Sequence, residues 1–210
     1  MNLIRSDVTK AASVVALLVL LATGCSHPGS RLGAPTPTGA TTLGGPDMTS
    51  ASPPPPGWTE RPVIPASQQQ AQDTVIGYLK RTLQAMPPGT ALDATRYSGG
   101  TSTASCQDVE TGTSPNNFTT IGDLKLPSGT SPDGVISDAG KVWKTWGWYV
   151  TERDGFYKPN RFGYGPDGYR LQIMASPKAG YSPSLQAVSP CFPANLPDNR
   201  SPFPMVLQAD

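Results

Sequence analysis

The chain has 210 residues, with 16 basic against 15 acidic side chains and a formal net charge of +1. So even a balance sets up no strong field toward nucleic acid or anionic lipid surfaces. Its single histidine, His27, leaves the rest of the chain without an imidazole for a Ser-His-Asp or Cys-His arrangement, or for zinc.

The N-terminal segment reads as an address. Arg5 and Lys10, diluted by Asp7, precede an apolar run over residues 11–22 that is too short to span a bilayer as a helix. Ala22, Thr23 and Gly24 are small and lead into Cys25, as in a bacterial lipoprotein signal, although Ala22 stands where leucine is commoner. Residues 1–24 are therefore expected to be cleaved as a signal peptide, leaving Cys25 as a lipidated first residue. Its diacylglycerol and acyl (palmitate) chains supply the several anchors that stable membrane attachment needs. The expected location is the outer face of the cell membrane, within the cell envelope. No later stretch is long and apolar enough to cross.

Residues 25–64 form the expected linker. Up to Pro53-Pro54-Pro55-Pro56-Gly57 they are almost entirely Ser, Thr, Gly, Ala and Pro, with too little apolar surface to offset the entropy of ordering. The segment is expected to be disordered and extended, a spacer that lifts a single globular domain, residues 65–210, off the membrane. Its Thr-Pro runs are also candidates for O-linked sugars.

Two helices are predicted. Over Ser67–Met86, Ala71, Val75, Tyr78, Leu79, Leu83 and Met86 recur at helical spacing, Ser67 with Gln70 fits a capping box, and Pro87-Pro88-Gly89 ends the run. At Ser131 a cap, a proline at the first helical position and Asp133 near the positive helix end announce a second helix. It carries Val135, Ile136, Ala139, Val142, Trp143 and Trp146 on one side and ends at Gly147. Strands are predicted at Thr103–Val109, Asn117–Lys125, Trp148–Thr151, Tyr169–Ala175 and Leu185–Cys191, the last as an edge strand because of Pro190. The proline-rich tail from Phe192 is expected to drape over the domain. The fold class expected is α+β, a mainly antiparallel sheet of about five strands with two helices packed on one face.

With Cys25 lipidated, Cys106 and Cys191 remain as an even pair that should oxidise outside the cytoplasm. They stand 85 positions apart, so a bond between them is expected to pin the first strand region to the last and close the sheet.

A lipobox, a Pro/Thr-rich tether, a cysteine pair and the run Val142-Trp143-Lys144-Thr145-Trp146-Gly147-Trp148 before a strand together resemble small mycobacterial lipoproteins of the LppA type. The resemblance extends loosely from Gln68 to Pro197. It implies a cell-envelope address and an α/β sandwich, and it transfers no catalytic residue.

Signals for chemistry are sparse. Gly163-Tyr164-Gly165-Pro166-Asp167-Gly168 matches a dinucleotide fingerprint in letters, but a strand follows it where a helix is required, so these glycines are read as a hairpin loop. The acid pairs Asp108/Glu110 and Glu152/Asp154 are spaced to share strand faces, but such pairs are far more often solvated turns than acid–base couples. No catalytic residue, metal ligand or cofactor is assigned. The richest surface is the loop Arg153–Arg170, where aromatic rings alternate with basic groups. Tyr157, Lys158, Arg161, Tyr164 and Arg170 are its candidate contacts for a ligand or partner.

The function expected is a non-enzymatic, lipid-anchored envelope lipoprotein, a binding or accessory domain. Its partners would be the membrane, through the lipid, and a cell-wall glycan, a glycolipid or another envelope protein, with no role for nucleic acid. The main alternative is a carrier that shelters a lipid or other apolar ligand between helices and sheet. A third reading is an envelope hydrolase without histidine.

Overall fold

A computed structural model describes residues 53–97, 100–107 and 111–209, all within one unit spanning Gly44–Asp210. The signal segment, Cys25, His27, the linker up to residue 52 and the pair Asp108/Glu110 lie outside the described residues.

The first helix, α1, runs Gln68–Gln84. Ser67 caps it by accepting from the Gln70 N–H at 3.0 Å, while Gln70 reaches back to accept from the Ala66 N–H at 2.6 Å, one residue before the usual partner of a capping box. The second, α2, runs Pro132–Thr145 behind the Ser131 cap, and Gly147 follows it at φ +79°. Both helices thus start and stop where their caps predict.

Eight strands form a single antiparallel sheet: β1 (Ala91–Asp93), β2 (Thr101–Ser105), β3 (Asn116–Lys125), β4 (Tyr149–Thr151), β5 (Asn160–Tyr164), β6 (Arg170–Met174), β7 (Ser184–Val188) and β8 (Val206–Gln208). The order across it is β4-β5-β6-β7-β3-β1-β8. β2 also pairs with β3, along the half of that strand that β1 leaves free. β1 and β2 lie along the same side of β3 as two separate pieces, and only β1 is paired further, with β8. The break is a 3₁₀ turn at Thr95–Tyr97, followed by Gly100 at φ +65°, where an added Cβ would meet Ala94 and the Ile121 carbonyl.

The α+β class stands, and the strand count is corrected from five to eight. β1 and β8 have three residues each, too short for alternation to show. β5 lies within the stretch expected to be a loop. β7 is corrected from an edge to an interior strand between β6 and β3, and Pro190 lies beyond its last paired residue, where no ladder donor is lost. The glycine motif does shape a hairpin: the Gly165 N–H donates to Tyr169 at 2.8 Å between β5 and β6.

The register divides the sheet into two sides. Phe118 and Leu124 on β3, Leu171 and Ile173 on β6, Leu185 and Ala187 on β7, with Leu92 and Leu207, join Val75, Leu79, Leu83, Ile136 and Trp143 of the helices in one core. Trp143, Phe118 and Ile136 are fully buried, and each large apolar side chain so placed contributes roughly 1.5–3 kcal/mol. Trp143 lies against β5 because Gly163 has no side chain; an added Cβ would stand 2.7 Å from the indole. Its Nε1 donates to the buried Thr82 hydroxyl at 3.1 Å, so no polar atom of the ring is stranded.

The Cys106–Cys191 disulfide is present, with its Cα atoms 6.3 Å apart. It ties the first predicted strand region to the last, as expected, but it does not close the sheet, whose strand path still ends at β4 and β8. It passes beside the start of β3 and ties the end of β2 to the segment after β7, next to the Asn116–Phe192 bridge. β2 is solvent-exposed along its middle, so this bond anchors the least covered strand.

The tail drapes as expected over the start of α1, where Gln68 and Gln72 are buried. Their amides donate to the carbonyls of Leu196 and Ser201, both at 2.8 Å. Residues 58–63, which composition assigns to the disordered linker, lie against the β5–β6 hairpin. The Arg61 N–H donates to Pro166 at 2.7 Å and the Val63 N–H to Asp167 at 2.9 Å, while Trp58 meets the Tyr149 ring.

Candidate functional site

The positions that alternate with the core residues line the other side of the sheet. One cross-strand row reads Thr151, Phe162, Gln172, Gln186, Ile121, and the next Tyr149, Tyr164, Arg170, Val188, Thr119. Both helices pack through the apolar positions, so this side is left as a shallow groove of amides, rings and hydroxyls. One depression on it, of about 190 Å³, is lined by Arg153, Phe162, Tyr164, Arg170, Gln172, Gln186 and Val188. Gln186 also borders a second, larger and more open depression of about 460 Å³ with Tyr97, Ser102, Thr119 and Ile121, so the two form one track across the strands.

Three of these residues are held by neighbours. Tyr164 stacks on Tyr149 with centroids 5.4 Å apart. Gln186 donates to the Thr119 hydroxyl at 3.3 Å. Arg153 is set by Asn160, which is fully buried at the start of β5. The Asn160 carbonyl oxygen accepts from the Arg153 N–H at 2.9 Å, and its amide donates to the carbonyls of Arg153 and Tyr157 at 3.0 and 3.2 Å. One satisfied amide thereby shapes the whole β4–β5 loop. The Arg153 guanidinium then lies over Phe156 and Phe162, 5.1 and 4.9 Å from the centroids. Its Nε is buried and has no acceptor among the described residues.

The five residues singled out in the sequence do not form one surface. Tyr164 and Arg170 line the depression. Arg161 points to the helix side, where its stem fills the space left by Gly140, and its guanidinium holds Glu152 at 2.6 Å. Lys158 pairs with Asp154 at 2.7 Å and Glu152 at 3.3 Å, and Tyr157 stands exposed on the same loop. Strand alternation is the cause: Arg161 and Tyr164 are an odd number of positions apart on β5 and must face opposite sides. Arg153, Gln172 and Gln186 were not singled out. Periodicity marks Gln172 and Gln186 as outward positions, but only the sheet order brings them together.

The acid pair Glu152/Asp154 is absorbed in this ion cluster. The Arg161 hydrogen bond holds the Glu152 carboxyl below its ordinary range, and Asp154 is partnered by Lys158. Among the described residues no group of three or more His, Cys, Asp or Glu side chains is placed to hold a metal ion, and no helix is long and apolar enough to cross a membrane. No protein-family model, curated protein or solved structure matches the chain.

Proposed function

We propose that this chain is a non-catalytic, lipid-anchored envelope lipoprotein whose domain binds a saccharide-bearing component of the cell wall along the helix-free side of its sheet. The observation that carries this reading is the groove itself: a tyrosine, two glutamine amides and two guanidinium groups converge on one depression, with a hydroxyl-lined extension across the neighbouring strands. Aromatic rings beside amide and hydroxyl groups suit sugar faces and their hydroxyls. The anchor is supported by the residues around Cys25, and the LppA-type resemblance points to the same address. The carrier reading draws no support from the packing, because Trp143, Phe118, Ile136 and Leu185 occupy the layer between helices and sheet with no exposure.

The test is a heteronuclear NMR titration of the oxidised chain with soluble muropeptides from digested cell wall. Shifts confined to Tyr164, Gln172, Gln186 and Thr119, and weakened by Gln186→Ala, support the reading. Shifts centred elsewhere, or none at millimolar ligand, overturn it. Cys25→Ala should release the chain from the membrane fraction, and continued membrane retention would remove the anchor from the account.

A further inference from the structure

We infer that the depression between Arg153 and Arg170 is a carboxylate subsite, so that the saccharide taken by this face is an acidic one. The inference rests on the binding role proposed above and names the chemistry of its ligand. Three observations carry it.

Charge comes first. None of the residues lining the depression is acidic, while two of them are arginines, so the groove has positive charge that its own walls do not neutralise. Lys158 and Arg161 differ in this respect, being held by Glu152 and Asp154 on the loop beside it.

The second observation is a donor without an acceptor. Arg153 has its ring-stacked guanidinium fixed in place, and its buried Nε is one of only four buried side-chain polar atoms among the described residues that lack a partner. Buried donors are nearly always satisfied, and because Nε is enclosed by the chain itself, a ligand would meet the remaining nitrogens of the same guanidinium, on a residue that lines the depression. An arginine held on two aromatic faces is also pre-organised, so little rotamer entropy remains to be lost when a planar anion docks against its fork.

The third observation is an acceptor that the chain itself supplies. Trp58–Val63 runs along the hairpin beside the depression and brings the Glu60 carboxylate to 3.8 Å from Arg170, the one ion pair of Arg170 among the described residues. That distance is beyond hydrogen-bond range, so the guanidinium keeps its donors available. The strap shows that a carboxylate approaches this rim without steric conflict, and it makes Glu60 a weak internal competitor for the position a ligand carboxylate would take.

Sugar hydroxyls then fall to Gln172, Gln186 and Thr119, which continue the track away from the two arginines.

The experiment is a titration of the oxidised full chain, by calorimetry and NMR, with three probes: trigalacturonate, the neutral galactose trisaccharide, and galactose 1-phosphate. Trigalacturonate should bind with shifts at Tyr164, Arg170 and Gln186 and weaken steeply between low and moderate salt. Arg170→Gln, a change at an exposed side chain, should weaken it about tenfold by removing a charge-assisted contact. Glu60→Gln should tighten it by about twofold to fivefold, the range for releasing an exposed ion pair. If the neutral trisaccharide binds the same face equally well, the carboxylate assignment fails while the saccharide-binding role survives. Preference for the sugar phosphate likewise overturns the carboxylate assignment. If no probe moves this face but muropeptides do through their peptide portion, both the acidic-sugar inference and the saccharide reading fall.

Discussion

The two sides of one sheet make the informative comparison in this molecule. Leu171, Ile173, Leu185 and Ala187 alternate along β6 and β7 with Arg170, Gln172, Gln186 and Val188, so neighbouring residues with the same backbone serve opposite purposes. On the helix side the positions of these two strands are apolar and belong to the core that α1 and α2 join. On the other side rings, amides and guanidinium groups are left half-buried and uncovered. The asymmetry puts the packed core on one side and leaves the other as the side proposed above for binding.

The largest effect that sharpens this contrast is on the covered side. Trp143→Ala removes the biggest buried side chain, uncovers Gly163 and takes away the donor to the Thr82 hydroxyl oxygen, and should cost about 3–5 kcal/mol in denaturant unfolding. A loss below 1 kcal/mol would mean that the core does not rest on that ring.

Replacing Cys106 and Cys191 together by serine should cost about 2–4 kcal/mol, since the bond closes a long loop. Hydrogen exchange should then rise first at Thr101–Ser105, the strand that neither helix covers. A uniform rise across all strands would contradict the local anchoring role.

The smallest effect concerns the clasp between α1 and the β5–β6 hairpin. Tyr78 donates its hydroxyl to Asp167 at 2.5 Å, and burial, together with that bond, pushes its pKa well above the ordinary tyrosine value. A raised folded-state pKa contributes stability that is fully present below the unfolded value of about 10 and is lost as pH rises toward the folded one. Stability should therefore decline above about pH 10. Tyr78→Phe should cost about 1 kcal/mol at neutral pH and make that alkaline decline shallower, leaving the part due to Tyr97 and Tyr169, whose pKa values are also raised. An unchanged decline in the variant would assign it to another tyrosine.

Much of the scaffold was legible before any coordinates. Ser67, Ser131, Pro132 and Gly147 act through contacts within a turn or two of chain, so α1 and α2 begin and end where their letters say. β3 and β6 were legible because their alternation is long enough to count. β5 was not, because Asn160-Arg161-Phe162-Gly163-Tyr164 offers a glycine and an arginine at the positions facing the helices. The glycine is there because an indole from α2 occupies the space, and the arginine because Gly140 makes room for its stem. Neither reason is visible without the partner helix.

By itself the sequence determined the class of fold, the two helices with their ends, the cysteine pair and the absence of imidazole from the folded part, all properties of local spacing or of composition. Only the tertiary structure decided which outward residues share a site. It separated Arg161 and Lys158 from Tyr164 and Arg170, and it brought Arg153, Gln172 and Gln186 together from three different segments. The physical reason is that strand order and strand alternation act at long range. A one-residue difference along β5 sends a side chain to the opposite side, and adjacency in the sheet is set by pairing that the linear order does not contain.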